Sequence, residues 1–258
     1  MLKVAVTTSI EEAGLSESAR QAAAELGIAV LPRRKKSLEQ LRVESGLDYL
    51  LVIEKDRAVL KGETTLAWHP GMAVPKIKAL RAGKPDPLLE ALGLTPGASV
   101  LDCTLGLAAD ALLIAFAIGP AGRVTGLEAS PYIAFITKQG LQNYDGPHVR
   151  LQGVPERIHV LNRNYREYLE EAGENSFDAV YFDPMFGYPL KKSSSLNALR
   201  PLASYDEVTP SVIRQALRAA KKSVVMKQNA RSEKADELQP DEICGGRYSP
   251  VTYYVWKK

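Results

Sequence analysis

Residues 99–143 read SVLDCTLGLAADALLIAFAIGPAGRVTGLEASPYIAFITKQGLQN, and the period of their apolar positions changes three times. A strand pattern at 99–102 gives way to an apolar helix pattern at 108–118, then to a strand at 124–128 and a helix at 131–143. Ser130 and Pro131 mark the start of that second helix, the serine as N-cap and the proline at the first helical position, where its missing N–H leaves no bond unmade. Strands that alternate with helices in this way pair in parallel, because each helix supplies the long crossover that a parallel return needs.

The pattern continues in both directions. Residues 158–161, 179–182 and 223–227 read as further strands with helices between them, the last of these helices opening at Thr209-Pro210. Residues 251–256 form a strand that returns after a short, Gly-rich link, which favours an antiparallel placement. The expected fold is therefore α/β, a mostly parallel sheet covered on both faces with a C-terminal antiparallel strand. Toward the amino end, strands at 2–6, 28–31 and 47–53 are separated by two helical stretches, and hairpin strands follow around 58–68. A helix at 74–81 leads into Ala82-Gly83-Lys84-Pro85. That stretch divides the chain into a small α/β domain at 1–85 and a large domain at 86–258.

Composition narrows the function classes. A chain of 258 residues with 45% hydrophobic content fills a core without covalent staples. Its longest apolar run, 111–118, is far short of the roughly 20 residues that span a bilayer, and the amino terminus lacks a signal-peptide pattern, so a cytoplasmic protein is expected. Two cysteines and three scattered histidines form no metal-binding cluster, and no metal is expected. Charge is unevenly distributed: residues 1–85 carry 14 Lys/Arg against 10 Asp/Glu, and residues 86–258 carry 19 against 20. The excess peaks at Arg33-Arg34-Lys35-Lys36, a turn that either attracts a polyanion such as RNA, with Arg34 and Lys35 as contacts, or is only a solvated surface.

Open α/β sheets bind ligands beyond the carboxyl ends of their strands, near the point where strand order reverses. The first strand of the large unit runs into Asp102-Cys103-Thr104-Leu105-Gly106-Leu107-Ala108-Ala109-Asp110. Gly106 permits close backbone approach, with Asp102 and Thr104 in the same turn, and Glu128, 22 residues on, is placed to accept hydrogen bonds from ribose hydroxyls. A dinucleotide fits poorly. The G-x-G-x-x-G spacing is missing, and Asp110 puts a negative charge at the helix N-terminus where a pyrophosphate would sit. S-adenosylmethionine (SAM) carries adenosine without phosphate, together with a sulfonium and an ammonium that carboxylates stabilise. The competing reading of Asp110 is a simple turn or helix cap.

Residues 178–195, DAVYFDPMFGYPLKKSSS, deliver a carboxylate, a proline and an aromatic ring from a buried strand into a basic, hydroxyl-rich loop. Asp183-Pro184-Met185-Phe186 resembles the (Asp/Asn)-Pro-Pro-(Tyr/Phe) motif of class I methyltransferases that act on exocyclic amino groups, with Met185 in place of the second proline. The resemblance implies that Asp183 and the Pro184 carbonyl accept hydrogen bonds from the amine, that Phe186 stacks on the base, and that positioning supplies much of the acceleration. The alternative is that Asp-Pro merely opens a turn and Phe186 is core. Taken with residues 100–110 and Val224-Val225-Met226-Lys227, the chain is similar to RsmJ-type bacterial methyltransferases over 86–258. That likeness implies a class I (Rossmann-like) methyltransferase fold, SAM as cofactor, and the guanine N2 amine of small-subunit ribosomal RNA as substrate. The chain departs from the family at Ala108, Gln228 and Asn229, where glycine and Arg-Pro are usual, and its amino-terminal unit with residues 69–73 resembles a Gram-positive branch of relatives.

Further site expectations follow. The superfamily places a side chain near position 164 toward the adenine, which nominates Asn164. Lys191 and Lys192, with Ser193 to Ser195, are placed to hold a phosphate near the target base or form a plain solvated loop; Tyr188 extends the stacking surface. Lys227, ending a buried strand, is nominated for a phosphate or base contact, whereas His69 more readily caps or packs than closes over the site. Two other functions stay open at this point: methylation of a protein or small-molecule amine, and a non-catalytic RNA- or ribosome-binding module on a degenerate transferase fold.

Overall fold

The computed structural model describes residues 2–144, 151–185, 198–245 and 249–258. The chain forms β1 (Val4–Thr8), α1 (Ala13–Leu26), β2 (Ala29–Val30), α2 (Leu38–Glu44), β3 (Tyr49–Ile53), β4 (Ala58–Lys61), β5 (Thr65–Ala67), α3 (Ala73–Arg81) and α4 (Pro87–Leu92). It continues with β6 (Ser99–Asp102), α5 (Ala109–Ile118), β7 (Arg123–Leu127), α6 (Pro131–Gln142), β8 (Ile158–Leu161), α7 (Tyr165–Glu171) and β9 (Phe177–Phe182). The last elements are α8 (Pro210–Ala219), β10 (Ala220–Asn229), the single turn α9 (Ala235–Leu238), β11 (Glu242–Cys244) and β12 (Val251–Lys257).

Two sheets result. The first has the order β2-β1-β3-β4-β5, with β1 parallel to β2 and β3 and the meander β3-β4-β5 antiparallel. The second has the order β11-β12-β10-β9-β6-β7-β8, parallel from β10 to β8, with β12 antiparallel to both its neighbours. Central strands of this sheet are covered on both faces, which is why they read as unbroken apolar runs. On one face Val100, Ala179, Tyr181 and Val225 pack under α3, α4 and α5; on the other Leu101, Val180, Phe182 and Val224 pack under α7 and α8.

Three details differ from the sequence expectation. Six-residue α4 is too short to show a period, yet its start was written in Asp86, whose side chain accepts from the Leu88 N–H, and in Pro87. The link before β12 is not merely Gly-rich but carries α9 and the three-residue edge strand β11. β10 runs over ten residues, two longer than the expected strand at its carboxyl end, because β12 pairs with it as far as Asn229. Among the described residues no helix is long and apolar enough to cross a membrane.

Helix α6 joins the two sheets. Its Ile133, Phe135 and Ile136 share one core with Val6, Leu51 and Leu60 of the first sheet. Trp68, just past β5, reaches into the larger unit, where its indole N–H donates to the Leu107 carbonyl (3.1 Å) and its ring meets Tyr144 edge-on. Gly140 makes room for that ring: a Cβ there would lie 2.2 Å from Trp68 Cγ. Gly140→Ala should therefore destabilise the protein by about 1–3 kcal/mol through overpacking, although the same change inside an open helix stabilises by about 1 kcal/mol. Denaturant unfolding reads the sign directly, and a stabilised variant would show that the junction is slack.

Candidate active site

Strand order reverses between β6 and β9, which lie side by side with β7 beyond one and β10 beyond the other. Their carboxyl ends gather Asp102, Thr104, Gly106, Glu128, Asp183 and Lys227 at one edge of the sheet, the position where open α/β folds form ligand sites.

The turn after β6 builds a cleft against the end of β7. Gly106 sits at φ +52°, a left-handed conformation that side chains disfavour, and its carbonyl accepts from the Thr137 hydroxyl (2.7 Å). Its N–H donates to Glu128 Oε2 (3.0 Å), while Glu128 Oε1 accepts from the Ser130 N–H (2.8 Å). Burial pushes Glu128 up to about 7 against the pull of those backbone donors. Burial likewise raises Asp102 to about 8, opposed by the Thr104 N–H and reinforced by the surrounding carboxylates. A cationic ligand would draw both groups back toward the ionised form. The chemistry of this donor set thus suits a nucleoside that carries positive charge.

Thr104, Gly106, Glu128 and Asp183 line the cleft together with Tyr165 and the segment from Ala203 to Asp206. Its open volume is about 80 Å³. Ligand pockets typically hold roughly 300–1,000 Å³, so the cleft is narrow beside that segment. Asn164, expected near an adenine, lies outside this lining: as the N-cap of α7 its Oδ1 accepts from the Arg166 N–H, and its amide donates to Asp206 Oδ2 (2.6 Å). Both ends of its side chain are engaged. Tyr165, whose hydroxyl donates to the Asp206 carbonyl, occupies the lining position instead. A tyrosine opening a helix carries no sequence signal beyond core packing.

Asp183 follows β9 and is fixed from two sides. Its N–H donates to Thr104 Oγ1 (2.5 Å), and its Oδ2 accepts from Lys227 Nζ (2.7 Å). Lys227 also donates to Asp110 Oδ2 (2.9 Å), Asp110 Oδ1 accepts from Lys76 Nζ (2.9 Å), and the Tyr181 hydroxyl donates to the same Asp110 (2.9 Å). Two lysines and two aspartates thereby alternate in a partly buried ladder. Burial alone would raise Asp110, but the ammonium groups of Lys227 and Lys76 hold it well below the usual carboxylate range. For Lys227 burial acts against the charge, and Asp183 with Asp110 outweighs it, so the lysine stays protonated.

This arrangement revises two sequence expectations. Asp110 does not present its charge to the cleft; it faces Lys76 and Lys227, and the carboxylates that line the cleft are Glu128, Asp183 and Asp206. Lys227, nominated for a phosphate or base contact, has its ammonium engaged by Asp110 and Asp183. Lys76, on α3 before the expected domain boundary, was not foreseen, since 34 residues separate it from Asp110.

Phe186, Tyr188, Lys191 and Lys192 lie outside the described residues. Pro184 and Met185 line the cleft beside Asp183. His69 caps its own turn, Nδ1 accepting from the Gly71 N–H (2.9 Å). In the basic turn, Arg33 bonds the Ser9 carbonyl and Lys36 pairs with Glu44, whereas the exposed side chains of Arg34 and Lys35 make no such bond among the described residues. Both of these residues adopt left-handed backbone, at φ 47° and 63°.

Comparison with known proteins gives consistent matches. The family described as "Putative SAM-dependent methyltransferase" matches residues 30–255. YpiP of Bacillus subtilis (strain 168) is 34% identical over 224 residues, covering 86% of this chain and 87% of its own. A protein of Thioalkalivibrio sulfidiphilus named ribosomal RNA small subunit methyltransferase J is 32% identical over 178 residues, 66% of this chain and 68% of its own. Among solved structures, the SAM-dependent methyltransferase NGO1261 from Neisseria gonorrhoeae matches with a TM-score of 0.65 at 19% identity, over 98% of this chain and 95% of that one. The last is a likeness of fold.

Proposed function

The chain belongs to the family of SAM-dependent methyltransferases, and on that premise we propose that it methylates the exocyclic N2 amine of a guanine in small-subunit ribosomal RNA, working in the cytoplasm. Its fold is that of a class I (Rossmann-like) methyltransferase and its cofactor is SAM. The observation that carries the substrate assignment is Asp183, with Pro184 next to it, held at the edge of the cofactor cleft by Thr104 and Lys227. Relatives named as ribosomal RNA methyltransferases support the choice of RNA.

Gly106 and Glu128 would hold the nucleoside of SAM, with Asp102 and Thr104 shaping the turn beneath it. When bound, SAM supplies a methyl carbon made electrophilic by its sulfonium. A guanine amine is a weak nucleophile because its lone pair is conjugated into the ring. Lys227 occupies Oδ2 of Asp183, which leaves Oδ1 to accept one amine N–H while the Pro184 carbonyl accepts the other. Those two bonds favour the pyramidal nitrogen whose lone pair is free, and they orient it. As the N–C bond forms and the methyl carbon–sulfur bond breaks, releasing a neutral thioether, Asp183 would take the surplus amine proton. Phe186, next in the motif, is assigned to stacking on the base.

Small ribosomal subunits and deproteinised RNA from a strain lacking the gene, incubated with methyl-labelled SAM and then digested to nucleosides, test the assignment. Labelled N2-methylguanosine is the expected product. Label in protein, in another nucleoside, or nowhere despite measurable SAM binding would discard it. Arg34 and Lys35 are proposed as RNA contacts. Arg34→Glu with Lys35→Glu should weaken RNA binding and lower the slope of log affinity against log salt by about 1–2. Unchanged affinity across the salt series would remove the basic turn from the RNA-binding surface.

A further inference from the structure

We infer that Gln228 reads the target guanine from the wall of an acceptor cavity, an assignment that rests on the function proposed above. A cavity of about 800 Å³ lies beyond Pro184 and Met185. Pro184, Met185, Tyr205 and Asp206 line both this cavity and the cofactor cleft. The two spaces therefore meet beside Asp183, so that a base in the larger presents its amine to a methyl donor in the smaller.

Gln228 follows Lys227 on β10, and the alternation of a strand sends the two side chains to opposite faces. Lys227 turns to Asp183 and Asp110, and Gln228 lines the cavity. Gln228 is 6% exposed, and its amide has no hydrogen-bond partner among the described residues. The amide is not sealed off from solvent, and the open space beside it is the cavity. Val208, Met226 and Met185 form an apolar part of the same lining, and charged residues such as Asp206, Arg231 and Lys234 form another part. Water reaches the amide in the open cavity, and a ligand that displaces this water must itself supply both a donor and an acceptor.

Guanine offers that match. Next to N2 its edge presents N1–H and then O6, a donor beside an acceptor. The amide of Gln228 presents an acceptor beside a donor, so Oε1 takes N1–H and Nε2 donates to O6, leaving N2 toward Asp183. Tyr205 is 58% exposed at the rim, its ring tethered by a hydroxyl bond to the Arg200 carbonyl (3.0 Å), and provides an aromatic face for the same base.

The test compares wild type with Gln228→Met, which keeps the size of the side chain and removes both polar groups, and with Tyr205→Ala, which removes the aromatic face where the two spaces meet. RNA from the deletion strain is the substrate, at saturating labelled SAM, and SAM affinity is measured separately. Gln228→Met should lower kcat/KM for N2-methylguanosine formation about 10–100-fold with SAM affinity unchanged. Tyr205→Ala should raise the KM for RNA about 5–50-fold. Wild-type turnover by Gln228→Met, a parallel loss of its SAM affinity, or an unchanged KM in Tyr205→Ala overturns the assignment and leaves the proposed function standing. Absence of N2-methylguanosine with the wild-type protein overturns both.

Discussion

Asp183→Ala should lower the rate of methyl transfer about 10²–10⁴-fold, the range supplied by a positioned general base, while SAM affinity changes by no more than about threefold. The reason is the division of labour at the two strand ends. Glu128 and Gly106, bonded to each other, form the proposed cofactor side, whereas Asp183, at the edge of the same cleft, hydrogen-bonds to that side through its backbone N–H to Thr104. Removing its carboxylate leaves this backbone bond in place and leaves Lys227 paired with Asp110, so the variant retains its fold. Single-turnover rates at saturating SAM, with calorimetric SAM titration alongside, separate the two quantities. Equal loss of both would falsify a role in the chemistry and make Asp183 a structural residue.

Lys227→Met should destabilise the protein by about 3–5 kcal/mol at neutral pH, the cost of leaving carboxylates buried without their counter-charge. Side chains of Asp110 and Lys227 are only 12% and 20% exposed, so solvent screens the pair weakly. The sign of the pH dependence distinguishes this from lost packing. In the wild type Asp110 is held below its ordinary value, so its contribution to stability is present above about pH 4 and is lost as pH falls through the depressed value. Without the Lys227 ammonium Asp110 keeps only Lys76 against its burial and rises, and Asp183, already raised by burial, rises further. The deficit of the variant is then largest at pH 8 and shrinks toward pH 5, where protons take over the neutralising role. Denaturant unfolding of both proteins at the two pH values measures this, and a deficit equal at both would assign the loss to packing. Turnover should fall as well, since Asp183 loses the bond that orients its carboxylate.

Legibility in the sequence followed the range of the interaction. The central strands β6, β9 and β10 were readable because burial on both faces leaves short apolar runs, and α6 because its N-cap and proline are adjacent in the chain. The Asp-Pro-Met-Phe motif and the Gly106 turn were readable because each is a few consecutive residues at a strand end. Short elements such as α4 and β11 were not, since neither is long enough to display a period. Lys227 was singled out as an oddity at the end of a buried strand, but sequence could not say which way it turns. Only the register of β10 against β9, Met226 opposite Phe182, brings its ammonium to Asp183.

By itself the sequence determined the fold class and the parallel core of the larger sheet, and it singled out the two turns, after β6 and after β9, that line one cleft, because periodicity, capping and turn chemistry are local and are written in neighbouring residues. Tertiary structure alone decided what those turns' charges do. It neutralised Asp110 with a lysine from α3, committed Asn164 to a helix cap, paired Lys227 with Asp110 and Asp183 and set Gln228 against the larger cavity. Each outcome depends on which distant groups share a site of low dielectric, where a single ammonium or carboxylate decides the protonation of its neighbours.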